Sequence, residues 1–115
     1  MMTDFDLPSS GLTNNGLTAD VLLSITKTFE KVPRIHGATL FGSRAKGTHK
    51  PYSDVDIVLY GDLSFTEVES IIVDLDELPF VYKFDVVAYG LIKNPELQQH
   101  IERVGIRIYE KQQEK

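Results

Sequence analysis

Apolar residues recur along this chain in two rhythms, one of about four residues and one of two, with capping and breaking residues between them. Leu22, Ile25, Phe29 and Val32 follow the helical rhythm and predict one buried face. Thr18 suits the N-cap, Leu17 is placed to pack on Leu22 as a hydrophobic staple, and Pro33 stops the helix. His36–Phe41 then reads as a strand ended by Gly42, and Val55–Tyr60 as a second strand closed by Gly61 and Asp62. Between them Gly47, Pro51 and their polar neighbours predict an irregular connection, with one helical turn after Ser43. Ser64-Phe65-Thr66-Glu67 is a capping box, flanked by Leu63 and Val68 as a staple. It opens a helix whose stripe is Val68, Ile71, Ile72, Leu75 and Leu78, and Pro79 ends it.

Val81–Ala88 is the third predicted strand, and a crossover helix before it favours parallel pairing with the second. Asn94 and Pro95 open a last short helix with Leu97, Ile101 and Val104 inward and Gly105 as its stop. Ile106–Tyr109 is a candidate edge strand before a charged tail. Residues 1–16 show no period and read as a flexible N-terminal arm, which leaves 17–115 as one domain. The expected architecture is α+β: a mixed sheet of three core strands and that candidate edge strand, packed with helices.

Candidate chemistry gathers where the first two strands meet. Asp54 and Asp56 lie on one face of a strand, about 6.6 Å apart along it at about 3.3 Å per residue. Two such carboxylates repel each other and resist burial unless a cation lies between them. Antiparallel pairing of the first two strands would set Ser43 opposite both. The backbone N–H groups and hydroxyl of Gly42 and Ser43 suit phosphate oxygens, and Arg44, Lys46, His49 and Lys50 make the following loop basic. Asp85 interrupts the third strand, where aspartate is disfavoured. By itself it could be an edge carboxylate paired with Lys83; beside an Asp-x-Asp pair, a third metal-facing carboxylate is the better reading.

Composition removes other chemistries. With no cysteine, disulfides, zinc–thiolate sites and thiol catalysis are excluded. A net charge of −5 argues against nucleic acid as a direct partner, since broad binding needs a basic surface. No apolar run reaches membrane-span length and the N-terminus has no signal-peptide pattern, which predicts a cytoplasmic protein with no membrane partner. Thr48 after Gly47 breaks the P-loop pattern, the three histidines lack metal-ligand spacing, and Ser43 lacks a nucleophile elbow.

Gly42-Ser43, ten residues, then Asp54-Val55-Asp56, with Asp85 in a later strand, resembles the DNA polymerase β-type nucleotidyltransferase superfamily. The string from Leu40 to Gly47 together with Ser53–Asp56 is most similar to its minimal nucleotidyltransferase (MNT) branch, over about Leu17 to Tyr109. The resemblance implies a nucleotidyltransferase that uses ATP and two Mg²⁺ ions. Asp54 and Asp56 would bridge the metals, and Asp85 would bind the metal nearest the acceptor and serve as general base. Gly42 and Ser43 would bind the β- and γ-phosphates, with Arg44 or Lys46 assisting. It also implies a helical HEPN or substrate-binding partner encoded nearby, and transfer of AMP to a tyrosine of a HEPN toxin by an antitoxin. Two alternatives stand beside this: transfer to a small molecule, and a module that neutralises its partner by contact without catalysis.

Overall fold

Thr18 accepts a hydrogen bond from the Val21 amide and opens the first helix, α1 (Ala19–Glu30), as the sequence predicts. The structure, a computed structural model, describes residues 16–47, 50 and 53–111. His49 and, apart from Gly16, the expected N-terminal arm lie outside the described residues. After α1 come β1 (Gly37–Phe41), the short α2 (Ser43–Lys46), β2 (Val55–Tyr60), α3 (Phe65–Asp76) and β3 (Phe84–Ala88). A 3₁₀ turn at Tyr89–Leu91, α4 (Pro95–Val104) and β4 (Ile106–Glu110) complete them.

The strands form one sheet in the order β3-β2-β1-β4. β1 is antiparallel to β2 and β4, and β2 is parallel to β3 across the α3 crossover, as expected. The candidate edge strand is present as β4. β3 starts three residues later than its apolar run suggests. The register aligns Val55 with Phe84, so the residues before Phe84 run past the start of β2, and Val81 is 98% exposed.

Register partners share a face, and the two faces of this sheet do different work. One carries Ala38, Leu40, Val55, Ile57, Leu59, Phe84, Val86 and Ala88, all buried. Val21, Ile25 and Phe29 of α1 and Val68, Ile71 and Leu75 of α3 cover it. Val21 rather than Leu22 leads the α1 stripe. Leu22 lies about 100° further round the helix and packs only at the margin of the core. The capping box of α3 is complete: the Ser64 hydroxyl accepts from the Glu67 amide at 3.2 Å, and the Ser64 amide donates to Glu67 Oε1 at 2.9 Å.

The second face carries Thr39 and Phe41 of β1, Asp56, Val58 and Tyr60 of β2, and Asp85 and Val87 of β3. Here α4 covers one end. Gly105 passes so close to the Ile101 carbonyl and the Thr39 methyl that a side chain there would collide with both. The Arg107 guanidinium sits 4.9 Å from the Tyr60 ring centroid, and the Tyr60 and Tyr89 centroids are 5.1 Å apart. The Tyr89 hydroxyl donates to Glu102 at 2.5 Å, which ties α4 to this stack. Asp54 and Asp85, toward the opposite end, remain exposed.

Burial and capping are separable in stability. Ile57→Ala, in the centre of the core face, is expected to cost about 2–5 kcal/mol. Ser64→Ala should cost only about 1 kcal/mol. Urea denaturation of both variants checks the order; a larger loss for Ser64→Ala would contradict this account of the core.

Candidate active site

The site is built at the end of β1 and the starts of β2 and β3. Gly42 turns the chain out of β1 with φ +77°, a conformation that side-chain-bearing residues rarely adopt. The same position is closed sterically, because a Cβ on Gly42 would collide with the Asp56 carboxylate. Only glycine lets the turn lie against that aspartate. Ser43 begins α2 immediately afterwards, and Gly47, in the left-handed region at φ +79°, ends it. Antiparallel register pairs Phe41 with Asp56, which brings the Gly42-Ser43 turn beside the carboxylates.

Parallel register pairs Asp56 with Asp85, on strands about 4.8 Å apart. Asp54 stands one residue before β2. The Val55 amide donates to the Lys83 carbonyl at 2.9 Å, which fixes the start of β2 against the approach to β3. Burial, first, and then the negative charges of Asp85 and Asp54 push the Asp56 carboxyl up to about 6, while the Arg44 guanidinium pulls the other way. Lys83, the alternative partner weighed for Asp85, is itself exposed.

Arg44 and Lys46 occupy unlike positions. Lys46 is exposed, whereas Arg44 is 1% exposed and is the largest fully buried side chain in the described structure. Two residues apart on a helical turn point about 200° away from each other, so one of the pair must face inward. Arg44 donates from Nε at 3.2 Å and from Nη2 at 3.1 Å to the Ser53 carbonyl, and it lies 5.1 Å from the centroid of the Tyr82 ring. Burial lowers its pKa, with Tyr82 and Asp56 opposing that shift; the guanidinium stays charged. Of the two basic residues expected at the phosphates, Arg44 is turned into the protein beside the Gly42-Ser43 turn and Lys46 faces solvent. Ser53 is itself held in a turn. Its amide donates to the Lys50 carbonyl at 3.0 Å, and its hydroxyl accepts from the Lys50 amide at 2.8 Å.

Sequence reasoning did not find Tyr82 or the Ser53 carbonyl as parts of the site. Tyr82 stood in an apolar run with nothing to single it out, and a backbone carbonyl leaves no trace in residue type.

Among the described residues the donor set suits a hard divalent cation: three carboxylates, with no thiol and no imidazole. Burial and, after it, crowded negative charge raise the Asp56 pKa, and a cation would offset the charge repulsion. The three side chains are not pre-gathered. Among the described residues no three His, Cys, Asp or Glu side chains stand together closely enough to hold a metal ion. Exposed Asp54 and Asp85 have room to change rotamer, so the residues fit such an ion without enclosing its place in advance.

The family described as Polymerase beta, Nucleotidyltransferase matches residues 24–114, a span that holds every element of the site. The chain belongs to the polymerase β nucleotidyltransferase family. Solved structures share this nucleotidyltransferase fold at low identity. One, described as a toxin–antitoxin with AMP-PNP, is 20% identical with a TM-score of 0.66, over 84% of this chain and 76% of that one. Another, a tri-AMPylated Shewanella oneidensis HEPN toxin in complex with MNT antitoxin, is 18% identical with a TM-score of 0.62. That match covers 79% of this chain and 71% of the other. A putative nucleotidyltransferase from Sulfolobus solfataricus matches over 93% of both chains at 16% identity and a TM-score of 0.53. No functionally curated protein matches the chain significantly.

Crowding at Asp56 predicts a pH dependence of folding. In the native state Asp56 keeps its proton up to about pH 6, above its ordinary value of 3.8. The native state therefore binds more protons than the unfolded state between these values, and stability falls as pH rises through that window. In metal-free buffer, Asp56→Asn is expected to flatten this part of the decline and to melt higher than the wild type at pH 7.5. Thermal melts from pH 4 to 8 check it; an unchanged slope with a lower melting temperature would refute the crowding account.

Proposed function

We propose that this nucleotidyltransferase is Mg²⁺-dependent and moves AMP from ATP to an acceptor hydroxyl, a tyrosine on a helical HEPN partner. One observation carries the reading: Asp56 is flanked by Asp54 and Asp85 and lies against the Gly42-Ser43 turn. Carboxylates suited to a cation and a turn suited to phosphate stand side by side at the end of a sheet face where Asp54 and Asp85 are exposed.

Asp54 and Asp56 would hold Mg²⁺, with Asp85 completing the set. When bound, two such ions neutralise phosphate charge and favour in-line displacement at phosphorus. The Gly42-Ser43 turn binds the β- and γ-phosphates, and it lies against Asp56 because position 42 has no side chain to collide with that carboxylate. Exposed Lys46, on the same turn of helix, adds positive charge at the solvent side. Asp85 accepts the proton of the acceptor hydroxyl. The freed oxygen bonds to the α-phosphorus, the bond from that phosphorus to the bridging oxygen breaks, and pyrophosphate leaves.

Relatives support the finer parts of this reading. One solved neighbour is a toxin–antitoxin with AMP-PNP, and another contains a tri-AMPylated HEPN toxin with an MNT antitoxin. A module acting by contact alone would gain nothing from carboxylates whose crowding opposes folding at neutral pH. We place the protein in the cytoplasm, in keeping with its lack of cysteine; among the described residues no helix is long and apolar enough to cross a membrane.

Two outcomes are expected. Mg²⁺ with AMP-PNP should raise the melting temperature of the wild type and leave Asp56→Asn nearly unmoved. With radiolabelled ATP and the HEPN partner, label should appear on the partner, and Asp85→Asn should reduce the rate by about 10²–10⁴-fold while AMP-PNP binding persists. Labelling of a small molecule with the partner untouched would replace the acceptor but keep the reaction class. No labelling and no Mg²⁺-dependent nucleotide binding would remove the enzymatic reading.

A further inference from the structure

Of the charged side chains in the described structure, Arg44 is the one withdrawn completely from solvent, at 1% exposure. Burial of a guanidinium is unfavourable unless its N–H groups and charge are satisfied, so its partners show what holds it there. They come from segments that the sequence separates. Nε and Nη2 converge on the Ser53 carbonyl, at the residue directly before Asp54. The Tyr82 ring, 5.1 Å away, lies three residues before Asp85. The arginine itself follows Ser43 in α2 and is close enough to Asp56 to oppose the rise in its pKa.

We infer that Arg44 is a positioning residue that ties the phosphate turn to the starts of β2 and β3, and so sets the spacing of Asp54, Asp56 and Asp85. Its consequence for metal rests on the reading under Proposed function; the tie itself rests on geometry alone. Strand pairing fixes β2 and β3 from Val55 and Phe84 onward, with one further bond from Val55 to Lys83. Asp54 precedes the ladder, and Tyr82 lies before it on the other strand. Arg44 spans that gap from inside, where hydrogen bonds between strands do not reach. Lysine could supply the charge but not the rest. A planar fork places two N–H groups on one oxygen while its face covers an aromatic ring, and an ammonium group has neither the fork nor the face.

Arg44→Lys and Tyr82→Leu, the latter at a half-buried site, test the tie from both sides, with Tyr82→Phe as the conservative control. Amide hydrogen exchange of the metal-free proteins is the first measurement. Arg44→Lys and Tyr82→Leu should speed exchange in Val55–Ile57 and Phe84–Val86 while α1 and α3 keep wild-type protection; Tyr82→Phe should match the wild type. The second is Mn²⁺ binding without nucleotide, followed by electron paramagnetic resonance of the free ion. Both variants should weaken it roughly 10–100-fold, the usual effect of losing a group that orients metal ligands. At saturating metal, AMP-PNP affinity should return to within about threefold of wild type if positioning is the whole defect. Unchanged exchange at both strand starts would overturn the inference, as would exchange raised equally throughout α1 and α3, the mark of general destabilisation. Loss of AMP-PNP affinity at saturating metal, with Mn²⁺ binding and exchange unaltered, would make Arg44 a phosphate ligand instead. A wild type that binds no Mn²⁺ would refute the metal reading, and the exchange data would still decide the role of Arg44.

Discussion

Negative charge concentrated at the start of two adjacent strands is the constraint around which this structure is arranged. Asp56 cannot move away from Asp85, because the parallel ladder pairs them, nor far from Asp54, which stands two residues earlier, just ahead of β2. Burial, first, and then this repulsion make the carboxyl hold its proton to about pH 6. Such a cluster opposes folding. Two features of the chain limit the damage: Asp54 and Asp85 stay in contact with water, and a buried guanidinium supplies opposite charge from within.

The rest of the sheet supplies the rigidity that this arrangement needs. Its other face is uninterrupted aliphatic and aromatic burial under α1 and α3, and this fixes the strands that bear the aspartates. Where α4 crosses the second face, it is secured by Gly105 against Thr39 and by Tyr89 against Glu102. The apolar and polar halves of that face are thus separated along the strands. Val58 is buried two residues from half-exposed Asp56. One short strand serves the core with one set of side chains and the site with the other, which is the direct result of its period of two.

Gly42 connects these two roles. Its positive φ lets the chain leave β1 sharply, and its missing side chain lets the turn touch the Asp56 carboxylate. A register pair and a glycine bring the turn and the carboxylate together.

Much of this was legible in the sequence because it depends on local rules. Capping by Thr18, Ser64 and Asn94 marked the starts of helices, and the crossover helix fixed the parallel pairing of β2 and β3. Alternation predicts one strand face for Asp54 and Asp56, although β2 begins only at Val55, and aspartate inside an apolar strand singles out Asp85. What the sequence could not determine was how separate segments meet. The start of β3 followed from its alignment with β2 and not from the length of the apolar run. Val21, not Leu22, led the core stripe of α1, because the helix rotates to fit the sheet beneath it. Arg44 and Lys46 look alike as basic residues of one loop, yet one is buried and the other exposed. That difference depends on a carbonyl at Ser53 and a ring at Tyr82, which only the folded chain brings to one place. Residue type and spacing determined which groups are candidates for the chemistry; tertiary structure decided which of them face solvent and which are buried among the others.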